Sequence, residues 1–252
     1  LKRSEVRSFY RAQMKIEVIY ETPDFAVINK PAGLLVHPVR NSPEPALTDW
    51  LLKKYPEIKK VGDEPQIRPG IVHRLDKDTS GVILICRNQE FFNYAKKLFQ
   101  EHKIRKKYLA LAYGELKPKS GIIEKPIMIK SGSVKRTIHK GKDEKTAITE
   151  YKVLKYLKYN KSLPIDNKML YFSLVEAMPK TGRTHQIRVH LASIGHPIVG
   201  DSLYGHKQNP FGFKRQFLHA ESLEFSSKDG QRIKIEAELP KDLKDVMKKL
   251  KE

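Results

Sequence analysis

At residues 72–81 the chain reads VHRLDKDTSG, which sets one carboxylate, Asp76, among His73, Arg74 and Lys77 and directly ahead of the apolar run GVILIC. Neighbouring positive charge favours the ionised form of a carboxylate, and an apolar floor strengthens the electrostatic work that charge then does. A carboxylate held ionised suits nucleophilic attack and not proton donation. A structural role fits the same spacing equally well, with Asp76 closing a turn and pairing with Arg74. Asp78, two residues on, suggests the paired carboxylates of a glycosidase. Nothing in the segment would raise its proton affinity as a general acid requires, and Asp before Thr-Ser-Gly is a common turn residue. His73 reads as a loop residue held by a hydrogen bond.

Other chemistries lack their residues. The chain contains no GxxxxGK[ST], no GxGxxG opening a helix and no HExxH, so nucleotide hydrolysis, dinucleotide redox and metalloprotease chemistry have no support. His185 and His190 stand five apart, on different faces of a helix, with no third ligand near, and no metal site is expected. The single cysteine, Cys86, excludes an internal disulfide and a Cys-based zinc site and ends an apolar strand, where it reads as packed core.

The charge points to a partner. Of 252 residues, 49 are Lys or Arg and 29 are Asp or Glu, a formal net charge of +20. Cations on this scale release counterions when they neutralise phosphates, which makes nucleic acid the expected ligand. An anionic membrane fits less well, because the basic helix expected over residues 240–251 spaces Leu243, Val246, Met247 and Leu250 to dock on a core. With 39% hydrophobic residues the chain builds a core and is not intrinsically disordered. No run approaches the roughly 18 apolar residues of a membrane span, and LKRSEVRSFYRAQM lacks a signal peptide's apolar centre. The expectation is a soluble cytoplasmic protein.

These residues need elements to hold them. KIEVIYE and FAVINK read as two strands joined by a Pro-Asp turn, PAGLLVHP as a glycine-containing loop, and LTDWLLKKYP as a helix stopped by Pro56. Residues 56–70 read as a surface loop leading into the Asp76 segment. Residues 81–87 form a strand of continuous apolar type, and Asn88 caps a helix carrying Phe91, Ala95, Leu98 and Phe99 on one face. Lys103, Arg105, Lys106 and Lys107 precede a strand that opens at Tyr108, a basic patch suited to phosphates, as are Lys135 and Arg136. Further strands are expected over 121–129, 145–156 and 168–177. In KTGRTHQIRVHLASIGHP, Ile187, Leu191 and Ile194 form one buried helical stripe ending at Gly195, and Arg188 faces away from it. SLEFSSKDGQRIKIEAEL is a hairpin turning at Asp-Gly, followed by the closing helix. Strands outnumber helices and hairpins outnumber crossovers, so the expected fold class is α+β, a largely antiparallel mixed sheet with flanking helices.

Three motifs in this order, NKPAGLLVHP, HRLDKDTSG and GRTHQIRVHLASIGHPIVGDSLYG, together with KKYLALAYGEL, TAITEY and FLHA, resemble the RluA-type pseudouridine synthases over residues 15–240. The resemblance implies that family's catalytic fold over residues 15–252, with a central active-site cleft, after a basic lead-in at 1–14. It implies isomerisation of uridine in RNA: the N1–C1′ bond breaks, the uracil turns over, and C5 bonds to C1′. No cofactor or metal is implied. Asp76 matches the catalytic aspartate, which attacks the sugar or the base or assists its departure, roles the sequence leaves open. Tyr108 matches the tyrosine that lies against the target uracil and takes part in removing the C5 proton. Arg188 matches the arginine that pairs with the catalytic carboxylate, and Arg74 the residue that fills the space of the flipped base.

The residues suit these roles: a guanidinium offers two parallel hydrogen bonds to a carboxylate, and a phenol stacks an unstacked base. Their plain alternatives are a solvent-facing helix arginine and a half-buried strand tyrosine. Many relatives that act on ribosomal RNA carry an S4-like domain ahead of the catalytic one, and this sequence shows only the short basic start. The expected substrate is ribosomal RNA with transfer RNA as the alternative, and the expected protein is a monomer. Rival functions are a nucleic-acid glycosylase, which would release free uracil, and a non-catalytic RNA-binding module.

Overall fold

In chain order the strands are β1 (Glu17–Glu21), β2 (Phe25–Lys30), β3 (Ser80–Cys86), β4 (Arg105–Tyr113), β5 (Ser120–Glu124), β6 (Ile127–Ile129), β7 (Arg136–Thr137), β8 (Lys142–Lys145), β9 (Ile148–Tyr159), β10 (Leu170–Pro179), β11 (Leu218–Ser226) and β12 (Arg232–Glu236). The helices are α1 (Leu47–Lys54), α2 (Gln89–Gln100), α3 (Gln186–Ser193) and α4 (Lys241–Met247). This computed structural model describes residues 16–39, 44–133, 135–159, 169–206 and 209–252. The lead-in expected at 1–14 lies outside them. Two compact units emerge, one running up to Arg105 and including Ser222–Ala237, the other comprising Lys106–Glu221 and Glu238–Glu252.

In the first unit β2 pairs antiparallel with β1 and with β3, in a register that sets Ile28 opposite Ile83 and Val27 opposite Leu84. The continuous apolar run of β3 is explained by its burial along its whole length. Asn88 caps α2 as expected, its side-chain oxygen accepting the Phe91 N–H at 2.8 Å. That cap directs Phe91 inward, where its ring stacks on Phe25 at 4.7 Å, and Phe225 meets Phe25 edge-on. The segment expected as a loop from residue 56 starts instead with a 3-10 turn, Pro56–Lys60, that buries Ile58. Pro56 stops α1 and also begins this turn, since a proline has no N–H to lose at a first helical position. Gly70 adopts φ +69, and a Cβ there would meet the Cys86 carbonyl at 2.7 Å. Only glycine allows the chain to lie this close to β3 before it enters the Asp76 loop.

The second unit holds a sheet ordered β4–β10–β9–β5 and a small one ordered β7–β6–β8. Every pairing within them is antiparallel, in agreement with the expected α+β class. The strand expected over 121–129 is split by Lys125-Pro126: β5 pairs with β9, whereas β6 joins the small sheet. Pro126 has no N–H to extend the first ladder. The strand expected to open at Tyr108 begins at Arg105. Ala110, Leu111, Phe172, Val175, Ile187, Leu191, Phe217 and Leu243 make up the core of this unit. Among the described residues no helix is long and apolar enough to cross a membrane.

Candidate active site

The Asp76 loop belongs to the first unit, and a buried cation shapes it. Lys30, the last residue of β2, is fully buried. Its ammonium donates to the carbonyls of Pro31 at 2.8 Å, Leu34 at 2.8 Å and Lys77 at 2.9 Å. Three acceptors match three donors, which is the condition for burying a lysine at tolerable cost. The Gly33 N–H also donates to the Lys77 carbonyl, at 2.9 Å. The Lys77–Asp78 peptide, one residue past Asp76, is therefore gripped twice by the NKPAG segment, and the Thr79 N–H closes the turn on the Asp76 carbonyl at 3.1 Å. Sequence reasoning passed over Lys30. Its signal was a charged residue ending an otherwise apolar strand.

His73 accepts the Leu84 N–H on Nε2 at 2.9 Å, and its ring lies 4.8 Å from that of Phe99. It is held in the loop, as the sequence suggested. Arg74 is exposed. Burial holds the His37 imidazole below its ordinary value, against the Pro38 carbonyl bond, and the charges of Arg74 and Arg68 push the same way as burial. Cys86 is buried, and burial pushes its thiol up, which leaves it inert.

Tyr108 and Arg188 belong to the second unit. Tyr108 is half-buried on β4 opposite Ala177 of β10. Lys106 shares its side of the strand by the two-residue period, and its ammonium donates to the Thr181 carbonyl at 3.2 Å. Burial lowers Lys106 to about 8. Lys107, on the opposite side, pairs with Glu176 at 2.8 Å, and Lys103 with Glu101 at 2.7 Å. Arg105 is exposed, and Lys135 and Arg136 are half-buried.

Arg188 is no solvent-facing helix residue. All positions of α3 from Gln186 to Leu191 are buried, and Arg188 makes a bidentate pair with Asp201, Nε to Oδ2 at 2.7 Å and Nη2 to Oδ1 at 2.8 Å. This pair takes two of the five N–H donors of a guanidinium. Asp201 also accepts the backbone N–H groups of Leu203 at 2.9 Å and Tyr204 at 3.1 Å. Burial alone would raise the Asp201 carboxyl, but the hydrogen bonds and charge of Arg188 and the two amides outweigh it and hold the group below the usual carboxylate range. The Arg188 guanidinium lies 5.3 Å from the Tyr204 ring centroid. The Tyr204 hydroxyl accepts the Arg136 N–H at 2.6 Å and shares a hydrogen bond with His185 Nδ1 at 2.9 Å. His185, the N-cap of α3, has φ +59. A left-handed conformation costs a non-glycine residue about 1–2 kcal/mol, an expense that functional sites often carry.

Asp201 and Tyr204 lie in the GDSLYG part of a quoted motif, yet sequence reasoning gave them no role. A bidentate partner 13 residues away, past the end of the helix, leaves no periodic trace. His190, weighed as a metal ligand, has Nδ1 on the Thr149 hydroxyl at 2.9 Å and Nε2 on the Lys125 carbonyl at 3.0 Å.

Residues 24–193 match the family model described as RNA pseudouridylate synthase. An uncharacterized RNA pseudouridine synthase of Chloroflexus aurantiacus is 39% identical over 225 residues, covering 89% of this chain and 66% of that one. The chain thus spans just under two thirds of that relative's length. Ribosomal large subunit pseudouridine synthase D of Yersinia pestis is 34% identical, with 95% and 72% covered. The solved structure of human RNA Pseudouridylate Synthase Domain Containing 1 superposes with a TM-score of 0.71 at 26% identity, covering 90% of this chain and 84% of the other.

Proposed function

The chain belongs to the RNA pseudouridylate synthase family, and from that premise we propose that it isomerises uridine in RNA to pseudouridine with Asp76 as the catalytic carboxylate. The observation that carries this reading is that the single family match over residues 24–193 takes in Asp76, Tyr108 and Arg188 together. In the reaction the N1–C1′ bond breaks, C5 bonds to C1′, the C5 proton leaves and N1 gains a proton. Atoms balance with no oxidant and no water consumed.

Asp76 supplies the negative charge that works at the nucleoside, on a loop whose backbone Lys30 and Gly33 hold in place. Tyr108 lies against the uracil and takes part in removing the C5 proton. Arg188 supplies a planar charge that steadies negative charge during the reaction, and its bond pair with Asp201 fixes the orientation of that plane. A stacked uridine has to leave its helix first, at a cost of a few kcal/mol that contacts with flanking nucleotides offset. Arg74 fills the vacated space. Arg105, Lys135 and Arg136 take phosphates, and Lys103, Lys106 and Lys107 extend that cationic surface. The substrate we assign is large-subunit ribosomal RNA, supported by the description of the Yersinia pestis relative.

The test is turnover on an unmodified large-subunit ribosomal RNA transcript, with pseudouridine mapped site by site. The unaltered chain is expected to modify discrete uridines, whereas Asp76→Asn binds the transcript and leaves it unmodified. Turnover retained by Asp76→Asn rejects the assignment. Free uracil with abasic sites would mark a glycosylase instead, and modification of transfer RNA alone would move the substrate.

A further inference from the structure

In the second unit the small sheet β7–β6–β8 and the turn at residues 182–184 enclose a groove of about 180 Å³. Ile127 and Ile129 of β6 line it, Ile127 nearly covered and Ile129 exposed, and its rim is cationic, with Arg136, Lys145 and Arg183. One acid, Asp143, stands on the rim and pairs with Lys145 at 2.9 Å. The rim therefore keeps a formal excess of two positive charges, three cations less one acid. The Arg183 Nε donates to the Thr146 carbonyl at 3.0 Å, which anchors that guanidinium at the groove. The exposed Ile129 side chain and the guanidinium rim together match a ribose-phosphate unit, with the sugar on the apolar side chain and the anionic oxygens on the cations.

Gly182 points to the same ligand independently. The chain has 14 glycines, all among the described residues. Ten adopt positive φ, and at Gly121, Gly141 and Gly205 a Cβ would meet other atoms at 2.8 Å or less. Gly182 has neither reason: its φ lies outside the left-handed region, and a Cβ there would meet nothing within 4 Å. Neither backbone conformation nor packing calls for glycine at this place. A missing side chain on the wall of a cationic groove lets a bound backbone approach the protein closely. The groove also adjoins the arginine's supports. Thr184 on its wall precedes His185, and the Arg136 N–H is held by the Tyr204 hydroxyl, whose ring lies against Arg188.

We propose that this groove binds a backbone phosphodiester of the RNA substrate, with its phosphate on Arg136 and Arg183, its ribose over Ile129, and Gly182 leaving room for its approach. The inference rests on the RNA pseudouridylate synthase reading. Because the backbone N–H of Arg136 donates to the Tyr204 hydroxyl, a phosphodiester that fixes Arg136 would also bear on Tyr204 and, through its ring, on Arg188.

The experiment measures binding of the full chain to the unmodified large-subunit ribosomal RNA transcript over a series of salt concentrations, with pseudouridine formation followed in parallel. Arg183→Ala and Lys145→Ala are each expected to weaken binding by about 5- to 10-fold and to reduce the slope of log affinity against log salt by about 1. Gly182→Val should weaken binding about 10-fold with the melting temperature unchanged, and Gly182→Ala should do so to a smaller degree. Asp143 has φ +56, which asparagine also tolerates, and Asp143→Asn should tighten binding by about 3-fold. Lys241→Ala, an exposed site on α4, controls for net charge and should change binding less than about 2-fold. If the groove variants bind no differently from Lys241→Ala at every salt concentration, the groove assignment is wrong. Absence of pseudouridine with the unaltered chain would count against the functional reading alone, because binding still reports on the groove.

Discussion

Each unit of this protein buries a cation beside a segment to which we assign a catalytic role, and the two are satisfied in opposite ways. In the first, the Lys30 ammonium sits among three neutral backbone carbonyls. In the second, the Arg188 guanidinium lies flat against one carboxylate, with two parallel bonds to Asp201. A point charge with three rotatable donors ties separate stretches of backbone together, whereas a planar fork fixes an orientation. Lys30 accordingly positions a loop, and Asp201 positions a side chain. Lys106 is a half-buried cation whose ammonium donates to the Thr181 carbonyl at 3.2 Å, and desolvation lowers it to about 8.

The sharpest way to break this contrast is Asp201→Ala. Removing one partner of a buried ion pair costs about 3–5 kcal/mol, because the other charge stays buried alone. Chemical unfolding should register that loss, and turnover should fall while RNA binding changes little. The sign of the pH dependence follows from the depressed Asp201 value. Its contribution is present above the unfolded carboxylate value of about 3.9 and disappears as pH falls through the folded value. Asp201→Ala should lack this acid limb, and an unchanged limb would show that the pair does not stabilise the fold.

Lys30→Met comes next. It leaves the Pro31, Leu34 and Lys77 carbonyls without their donor, for an expected loss of about 2–4 kcal/mol with a matching fall in turnover. Lys30→Arg should not restore either, since a planar fork cannot meet three converging carbonyls. Full rescue by arginine would erase the distinction between the two cations.

The smallest effect is expected at Lys106. Its folded value lies below the unfolded value of 10.5, so below about 8 both states carry the proton and the cost of burial is fully present. Between about 8 and 10.5 the unfolded chain binds more protons, and stability should rise with pH, by an amount on the order of 2 kcal/mol. Lys106→Met should flatten that alkaline rise, as measured by unfolding at pH 7.5 and 10 in parallel.

Much of this arrangement was legible beforehand, where information is local. The Pro-Asp turn between β1 and β2, the apolar β3, the Asn88 cap and the Gly195 stop of α3 are each set by a few adjacent residues. The break between β5 and β6 was missed although Glu124, Lys125 and Pro126 mark it, because apolar pairs and triplets, Ile122-Ile123 and Ile127-Met128-Ile129, flank it closely on both sides. The small strands β7 and β8, two and four residues long, carry too few side chains for any period to emerge. Arg188 was expected to face away from the buried stripe and to pair with the catalytic carboxylate; it is itself buried, and its bond pair with Asp201 was not foreseen.

By itself the sequence determined which side chains were available for chemistry: an aspartate among cations, a tyrosine on a basic strand, an arginine on a short helix, and a surplus of positive charge suited to RNA. Residue type and near-neighbour spacing govern these, because charge, hydrogen-bonding capacity and turn preference act over a few residues. Only the tertiary structure decided how the cations are neutralised, with Lys30 on a carbonyl 47 residues away and Arg188 on Asp201 across a loop. It also left Gly182 facing an open groove. Burial sets the value of each such contact, and burial is a property of packing that no stretch of sequence carries alone.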